Sequence, residues 1–223
     1  MLQTAGSYGF KTLVDACDIV YRILPTLKSQ QHIMYSPLTI DFSSCNLIPT
    51  EHVSEFVAVK TVGDGNCCFR AASLLLFGTE QYHLELRVRT IAELAKYSFY
   101  YLADSEVISR MEAEMAILNG KAVPEKIEDP CQIKEIFEAE VLNMCKENSW
   151  ACLWQWHGIT SVAKRPIQSV FPDKVPSTLK KTLTYFIQPR EMSNSLSPLH
   201  FLWSKMGNTV TSNFIPNHFV PLV

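Results

Sequence analysis

The stretch GDGNCCFRAAS at residues 63–73 joins the apolar segment FVAVKTV at 56–62 to a run that ends at Gly78. The β-branched residues of 56–62 predict a short strand, and the glycines that follow predict a tight loop. Helical spacing of apolar residues from about Cys67 to Phe77 predicts a helix, with Gly78 as its stop. A strand, a glycine-rich loop and a helix therefore follow one another, with a cysteine at the first helical turn.

Cys67 stands where a thiol can be activated. The first turn of a helix carries the positive end of the helix dipole and unpaired backbone N–H groups, and both favour the thiolate. The same N–H groups can receive the oxyanion of a tetrahedral intermediate, and the glycines let a substrate carbonyl approach the backbone. The alternative is that Cys67 is a small buried hydrophobe, which is the commoner role of a lone cysteine.

A thiol nucleophile needs a base close to it, and the chain has six histidines. His218 lies in a predicted terminal strand, distant in sequence from Cys67 but free to be near it in space. His32 and His52 lie in polar stretches and are expected at the surface. The remaining candidates lie in a helix, beside two tryptophans and on a predicted strand: His83, His157 and His200.

Length and composition narrow the class of protein. The 223 residues are 47% apolar and 19% charged with a net charge of −2, which predicts a globular protein without a general attraction to nucleic acid. The sequence contains no run of 18 apolar residues, so a membrane span is not predicted. The N-terminal segment resembles an amphipathic helix more than a signal peptide. Seven cysteines without a disulfide-like spacing favour reduced thiols in the cytoplasm or nucleus.

Helices dominate the first two thirds of the predicted secondary structure, and strands dominate the last third. This order indicates an α+β or three-layer α/β/α arrangement. The predicted helices outside 67–77 are 9–28, 80–102, 105–119, one that begins at Asp129-Pro130, and 150–163. The predicted strands after the loop are 166–171, 183–188, 199–203 and 214–223.

These residues resemble the ovarian-tumour (OTU) family of cysteine proteases. GDGNCCFRAAS is similar to the family signature, in which the nucleophile follows Asp-Gly-Asn. WACLWQWHGITSVAKRPIQSVFPD at 150–173 resembles its later helix and strand, and SPLHFLWSKMGN and NHFVPLV resemble its two final strands. The segment SLLLFGTEQYHLELRVRTIAEL at 73–94 is similar to the divergent vertnin-like and transposon-associated branch.

The resemblance implies a papain-like fold, with a small, mostly antiparallel central sheet flanked by helices. It implies an OTU-like catalytic domain over 56–223, preceded by a helical extension over 1–55. The implied activity is that of a deubiquitinase, a thiol protease that cuts isopeptide or peptide bonds at the C-terminus of ubiquitin. The implied partners are ubiquitin, polyubiquitin chains or a ubiquitin-like modifier, and no metal or organic cofactor is needed.

Site residues carry over from the family motif position by position. Cys67 is the implied nucleophile and His218 its general base. Asp64 is implied to shape the oxyanion loop, in which the N–H of Cys67 acts together with that of Gly65 or Asn66.

One position departs from the family pattern. Many members carry Asp or Asn two residues after the histidine, but that position is Val220 here, and Asn217 should point to the opposite face. Either an upstream residue such as Asp41 orients the imidazole, or the site is a dyad. A catalytically weak or inactive OTU module that binds ubiquitin, a ubiquitin-like modifier or another protein is therefore an alternative.

Two further readings of the cysteines are open. Cys68 is a rival nucleophile, although on a helix it should project about 100° away from Cys67. A zinc site at Cys131, Cys145, Cys152 and His157 is disfavoured by irregular spacing.

Overall fold

The computed structural model describes residues 1–24, 27, 37–119, 121, 125–150, 153–173, 177–191, 197–206 and 214–223, and for 177–179 the backbone alone. Several sequence predictions fall outside these ranges: His32, Cys152 and parts of the helices predicted at 9–28 and 150–163. In chain order, the helices are α1 (Leu2–Ser7), α2 (Phe10–Ile23), α3 (Phe42–Cys45), α4 (Cys67–Phe77), α5 (His83–Lys96), α6 (Ser98–Ala103), α7 (Ser105–Leu118), α8 (Pro130–Met144), α9 (Trp154–Ala163) and α10 (Ser177–Leu183).

The described strands form one small mixed sheet. They are β1 (Ile167–Val170), β2 (Phe186–Ile187), β3 (Leu199–Ser204) and β4 (His218–Leu222), in the spatial order β2-β1-β3-β4. The β1–β3 pair is parallel, whereas the β1–β2 and β3–β4 pairs are antiparallel. An α+β architecture with a small, mostly antiparallel sheet between helices is therefore confirmed.

The predicted strand at 56–62 is wrong as a regular strand. This segment runs along the free edge of β4 but forms only isolated bridges, Ala58 with Leu222 and Val59 with Ile40. The Val59 N–H donates to the Pro221 carbonyl at 3.1 Å, and Pro221 has no N–H to return the bond. The ladder is interrupted there, so 56–62 is an irregular edge segment.

The helix predicted over 80–102 is divided. A short 3₁₀ turn at Glu80–Tyr82 precedes α5, and Tyr97 separates α5 from α6. Apolar residues of this region do not all face the core, because Leu84 is 53% exposed and Phe99 is 74% exposed. The buried face of α5 is rotated and includes polar side chains; its members are Leu86, Arg87, Thr90, Ile91, Ala92, Glu93, Leu94 and Ala95.

Other helix ends follow the expected capping chemistry. Asp104 accepts hydrogen bonds from the backbone N–H groups that open α7, and Asp129 does so for α8, where Pro130 occupies the first turn. Gly78 ends α4 with a φ of 73°. Two short helices, α3 and α10, are absent from the sequence prediction, and Leu183 ends α10 instead of opening a strand.

Aromatic side chains form the centre of the core. Trp156 in α9 lies 5.5 Å from Trp203, 5.3 Å from Phe201 and 4.8 Å from Phe219, measured between ring centroids. This cluster joins α9 to β3 and β4 and belongs to the core. The N-terminal helices α1 and α2 contribute to the same core through α5 and α8. The domain boundary at 55/56 stays a prediction. Among the described helices, none has the length and apolar character needed to cross a membrane.

Candidate active site

Cys67 is the first residue of α4, and this helix packs against β4, whose first residue is His218. The backbone N–H groups of Phe219 on β4, of Cys68 and of Cys67 itself are near enough to lower the pKa of the Cys67 thiol. Phe219 directly follows His218 in the chain. The structure therefore brings the two sequence-predicted residues, Cys67 and His218, to the same junction between helix and strand.

The Cys67 thiol is neutral in this arrangement. Cys67 is 3% exposed, and burial raises the pKa of its thiol to about 11, with the negative charge of Asp64 acting in the same direction. The N–H groups of Phe219 and Cys68 lower the pKa but do not offset the burial. A helix N-terminus alone was expected to favour the thiolate, and desolvation outweighs that effect here.

Cys68 has different surroundings. Burial raises the pKa of its thiol well above the usual value, and Glu114 of α7 contributes to the increase. Glu114 is itself buried, and loss of solvent raises the pKa of its carboxyl to about 8. Cys68 is thus a core residue whose thiol is influenced by Glu114 of α7.

The imidazole of His218 is also buried, with 3% of the residue exposed. Its Nε2 lies 3.2 Å from Thr61 Oγ1, and its Nδ1 has no hydrogen-bond partner among the described residues. Burial lowers the pKa of His218, while the charge of Asp41 acts in the opposite direction. Both members of the candidate pair are therefore held in their neutral forms.

Asp41, the upstream candidate for a third member, caps α3. Its carboxylate accepts hydrogen bonds from Ser44 N at 3.1 Å and from Ser44 Oγ at 2.9 Å. Ser44 Oγ lies 2.6 Å from Ser204 Oγ, and Ser204 is the residue opposite His218 in the sheet. Asp41 therefore acts on His218 through its charge, without a direct hydrogen bond among the described contacts.

Asp64 holds the loop that precedes α4. Its Oδ1 accepts the Asn66 N–H at 3.0 Å, and its Oδ2 accepts a hydrogen bond from Arg70 Nη2 at 2.6 Å. The Arg70 guanidinium keeps the pKa of the Asp64 carboxyl well below its usual range. Arg70 also pairs with Glu80 at 3.1 Å, which ties the loop to the turn before α5. These contacts are those of a loop-shaping residue.

Arg87 of α5 is a buried side chain that binds the loop at 64–66. It was not identified from the sequence. The residue is 4% exposed, and its Nη1 donates to Asn66 Oδ1 at 2.6 Å. Its Nε donates to Met144 O at the end of α8 at 2.8 Å, and its Nη2 donates to Lys146 O at 2.9 Å and Ser149 O at 3.1 Å in the segment after α8. The only signal was an arginine beside the buried face of a helix.

Gly65 is required where it stands. Its φ is +78°, and a Cβ built on it would lie 2.0 Å from the carbonyl oxygen of Asn148. The Asn148 side chain accepts a hydrogen bond from Asn66 Nδ2 at 3.1 Å. The loop at 64–66 and the segment after α8 are thus packed together at backbone contact.

The remaining candidates have other surroundings. His157 is buried between Tyr101 and Tyr185, and loss of solvent lowers its pKa to about 3. Cys131 is exposed at the start of α8, whereas Cys145 follows its end. Within the described part of the chain, no group of three or more His, Cys, Asp or Glu side chains is placed to hold a metal ion.

The pKa of Cys67 predicts how this thiol reacts in the free protein. At pH 7.5, iodoacetamide should modify the exposed Cys131 well before Cys67. Because the pKa is raised, the thiolate fraction of Cys67 and its alkylation rate should rise about tenfold per pH unit up to about pH 10. Peptide mass mapping over a pH series measures both rates. A Cys67 rate that levels off below pH 9 would contradict the buried, neutral thiol.

Comparisons with known proteins agree with this fold. The family described as "Vertnin, OTU domain" matches residues 58–204, more than half of the chain. Vertnin of Homo sapiens is 30% identical over 191 residues, with 83% of this chain and 26% of that protein covered. Vertnin of Danio rerio is 31% identical over 191 residues, with 82% and 28% covered. The chain thus spans about a quarter of the length of these curated relatives.

A solved structure, the OTU domain of OTUD1, is 14% identical, covers 76% of this chain and 87% of its own, and superposes with a TM-score of 0.45. The family match shows that the chain is an OTU-type domain; it has an α+β architecture with a cysteine at a helix start and a histidine on the last strand. Within that class, the chain belongs to the vertnin OTU-domain family. The matched residues include Cys67 and Asp64 and end before His218.

Proposed function

We propose that the chain is a cysteine-type deubiquitinase, which hydrolyses isopeptide or peptide bonds at the C-terminus of ubiquitin. The observation that supports this most is the junction of α4 and β4: Cys67 begins the helix, His218 begins the strand, and the N–H of the next strand residue, Phe219, acts on the thiol. A purely structural cysteine at a helix start does not require a histidine on the adjacent strand. The Nδ1 of His218 in β4 has no hydrogen-bond partner among the described residues.

His218 acts as general base. It takes the Cys67 proton while the sulfur attacks the carbonyl carbon of the ubiquitin C-terminal glycine. The carbonyl oxygen becomes an oxyanion, and the N–H groups of Gly65 and Cys67 are the donors available to it, because that of Asn66 is bonded to Asp64. Collapse breaks the C–N bond, and the leaving lysine amine takes the proton from His218. Water then hydrolyses the thioester by the same route.

The reaction in this form uses no metal or organic cofactor. Its partners are ubiquitin, polyubiquitin chains or a ubiquitin-like modifier with the same glycine terminus. The proposed location is the cytoplasm or nucleus, where thiols are kept reduced.

A second function has its own support. The burial of both Cys67 and His218 and the raised pKa of the thiol favour an OTU module that binds ubiquitin, a ubiquitin-like modifier or another protein with little turnover. Val220, which lacks a hydrogen-bonding group where many family members have one, points the same way.

Turnover separates the two functions. The purified chain is incubated with ubiquitin that carries an amide-linked fluorophore at its C-terminus, and release of the fluorophore is followed over hours. Titration with ubiquitin in calorimetry measures binding in parallel. Release above the rate of the buffer supports the protease. Binding without release supports the module and overturns the proposed activity.

A further inference from the structure

The two ring nitrogens of His218 have different surroundings. Nε2 lies 3.2 Å from the hydroxyl oxygen of Thr61, and Nδ1 is buried without a hydrogen-bond partner among the described residues. A neutral imidazole carries its proton on one nitrogen only, and the other nitrogen accepts. Which nitrogen is the base therefore depends on what Thr61 can accept or donate.

The Thr61 hydroxyl has a single hydrogen, and a second contact uses it. Thr61 Oγ1 lies 3.0 Å from the carbonyl oxygen of Phe219, which can only accept a hydrogen bond. The hydroxyl therefore donates to Phe219 O, and its oxygen is left to accept from Nε2–H of His218. The same imidazole then presents Nδ1 as an unprotonated acceptor.

Backbone pairing places Thr61 at this point. Along the edge of β4, the Val57 N–H donates to Val223 O at 2.9 Å and the Val59 N–H donates to Pro221 O at 3.1 Å. Thr61 is the next alternate residue, and it reaches Phe219 O in turn through its side chain. Alternate residues of this segment therefore pair with alternate residues of the β4 edge. This register places the Thr61 hydroxyl beside the imidazole of His218.

Neither Val220 nor Asp41, the other two candidates for orienting His218, supplies an acceptor for its Nε2–H. Val220 is buried on the face of β4 that carries His218 and has no polar side-chain atom. The Asp41 carboxylate is engaged by Ser44 N and Ser44 Oγ.

We infer that Thr61 is a positioning residue, whose hydroxyl holds His218 in the Nε2–H tautomer and leaves Nδ1 to take the proton of Cys67. The catalytic consequence of this inference rests on the proposed function. The assignment of the His218 tautomer does not depend on that function. Thr61 thereby takes the orienting part that Val220 cannot fill.

The test compares Thr61→Val, which keeps the branched shape and removes the hydroxyl, with Thr61→Ser, which keeps the hydroxyl. Two-bond ¹H–¹⁵N correlation spectra of ¹⁵N-labelled protein report the tautomer of His218, assigned with His218→Gln. The wild type and Thr61→Ser should show Nε2–H, whereas Thr61→Val should shift the tautomer ratio toward Nδ1–H by about tenfold, the worth of one hydrogen bond. In the turnover assay, kcat should fall about tenfold in Thr61→Val with KM unchanged and recover in Thr61→Ser.

The two readouts fail separately. The spectra need no substrate, so an Nδ1–H tautomer in the wild type, or an unchanged ratio in folded Thr61→Val, overturns the inference whether or not the chain is an enzyme. Absence of turnover with the expected tautomers would overturn the proposed function and leave the role of Thr61 standing. Equal kcat in the wild type and Thr61→Val would overturn the catalytic consequence of Thr61 alone.

Discussion

Cys67→Ala is expected to abolish release of the fluorophore from ubiquitin, while Cys68→Ala retains it. Removal of the nucleophile in a comparable serine protease costs on the order of 10⁶-fold in kcat, so the residual rate should fall below detection. Cys68 is the matched control because it is the neighbouring residue, equally buried, in the same helical turn. Its thiol is buried in the core, where the charge of Glu114 acts on it.

Folding must be checked for both variants, since each removes one buried sulfur. Alanine is a good helix former, so both should keep the circular dichroism of the wild type with a modest loss of stability. Release that persists in Cys67→Ala and disappears in Cys68→Ala would move the nucleophile by one residue. Release that persists in both would show that neither thiol carries the reaction.

Arg87→Met is expected to lower the melting temperature by about 6–12 °C. The substitution leaves the Asn66 side chain and three main-chain carbonyls without their buried donor, and loss of charged hydrogen bonds costs about 3 kcal/mol. For a chain of this size, each kcal/mol shifts the melting temperature by about 2–4 °C. Thermal unfolding followed by circular dichroism measures the shift.

Arg89→Met in the same helix is the control. Arg89 pairs with Glu85 one turn earlier at 2.7 Å, and such a helical pair contributes about 0.3–0.5 kcal/mol. Its melting temperature should therefore fall by no more than about 2 °C. Equal shifts for the two variants would mean that the Arg87 contacts do not hold the loop and the segment after α8 together.

Local chemistry explains which parts of the fold were predictable. The helix from Cys67 to Phe77 was found because apolar spacing and Gly78 act within a few residues of each other. The first residues of α7 and α8 could be predicted because Asp104 and Asp129 accept hydrogen bonds from backbone N–H groups in the first turn of each helix. Each of these signals is contained in a short stretch of chain.

Contacts between distant segments were not predictable. The partner of the His218 ring is Thr61, which lies 157 positions away and was read only as part of a strand. Arg87 was not singled out in the sequence, because its acceptors lie at the end of α8 and in the segment after it. The strand at 56–62 failed for a similar reason, since Pro221, which interrupts its pairing, belongs to the other end of the chain.

The burial of the Cys67 thiol could not be predicted from the sequence either. The helix start at Cys67 predicted backbone N–H groups that lower the pKa of the thiol, but it did not predict that Cys67 would be 3% exposed and its pKa raised to about 11. Burial depends on the packing of α4 against β4, which a local pattern does not contain.

The most direct test of the central claim is reaction with ubiquitin whose C-terminal glycine is replaced by a thiol-reactive group, followed by intact mass and peptide mapping. We expect a single adduct of one ubiquitin per chain, located on Cys67 and absent in Cys67→Ala. We also expect that the adduct forms faster than free iodoacetamide modifies the same thiol, because ubiquitin delivers the electrophile to it. A folded protein that forms no adduct, or forms it on Cys68 or Cys131, would contradict the assignment of Cys67 and His218 as a ubiquitin-directed catalytic pair.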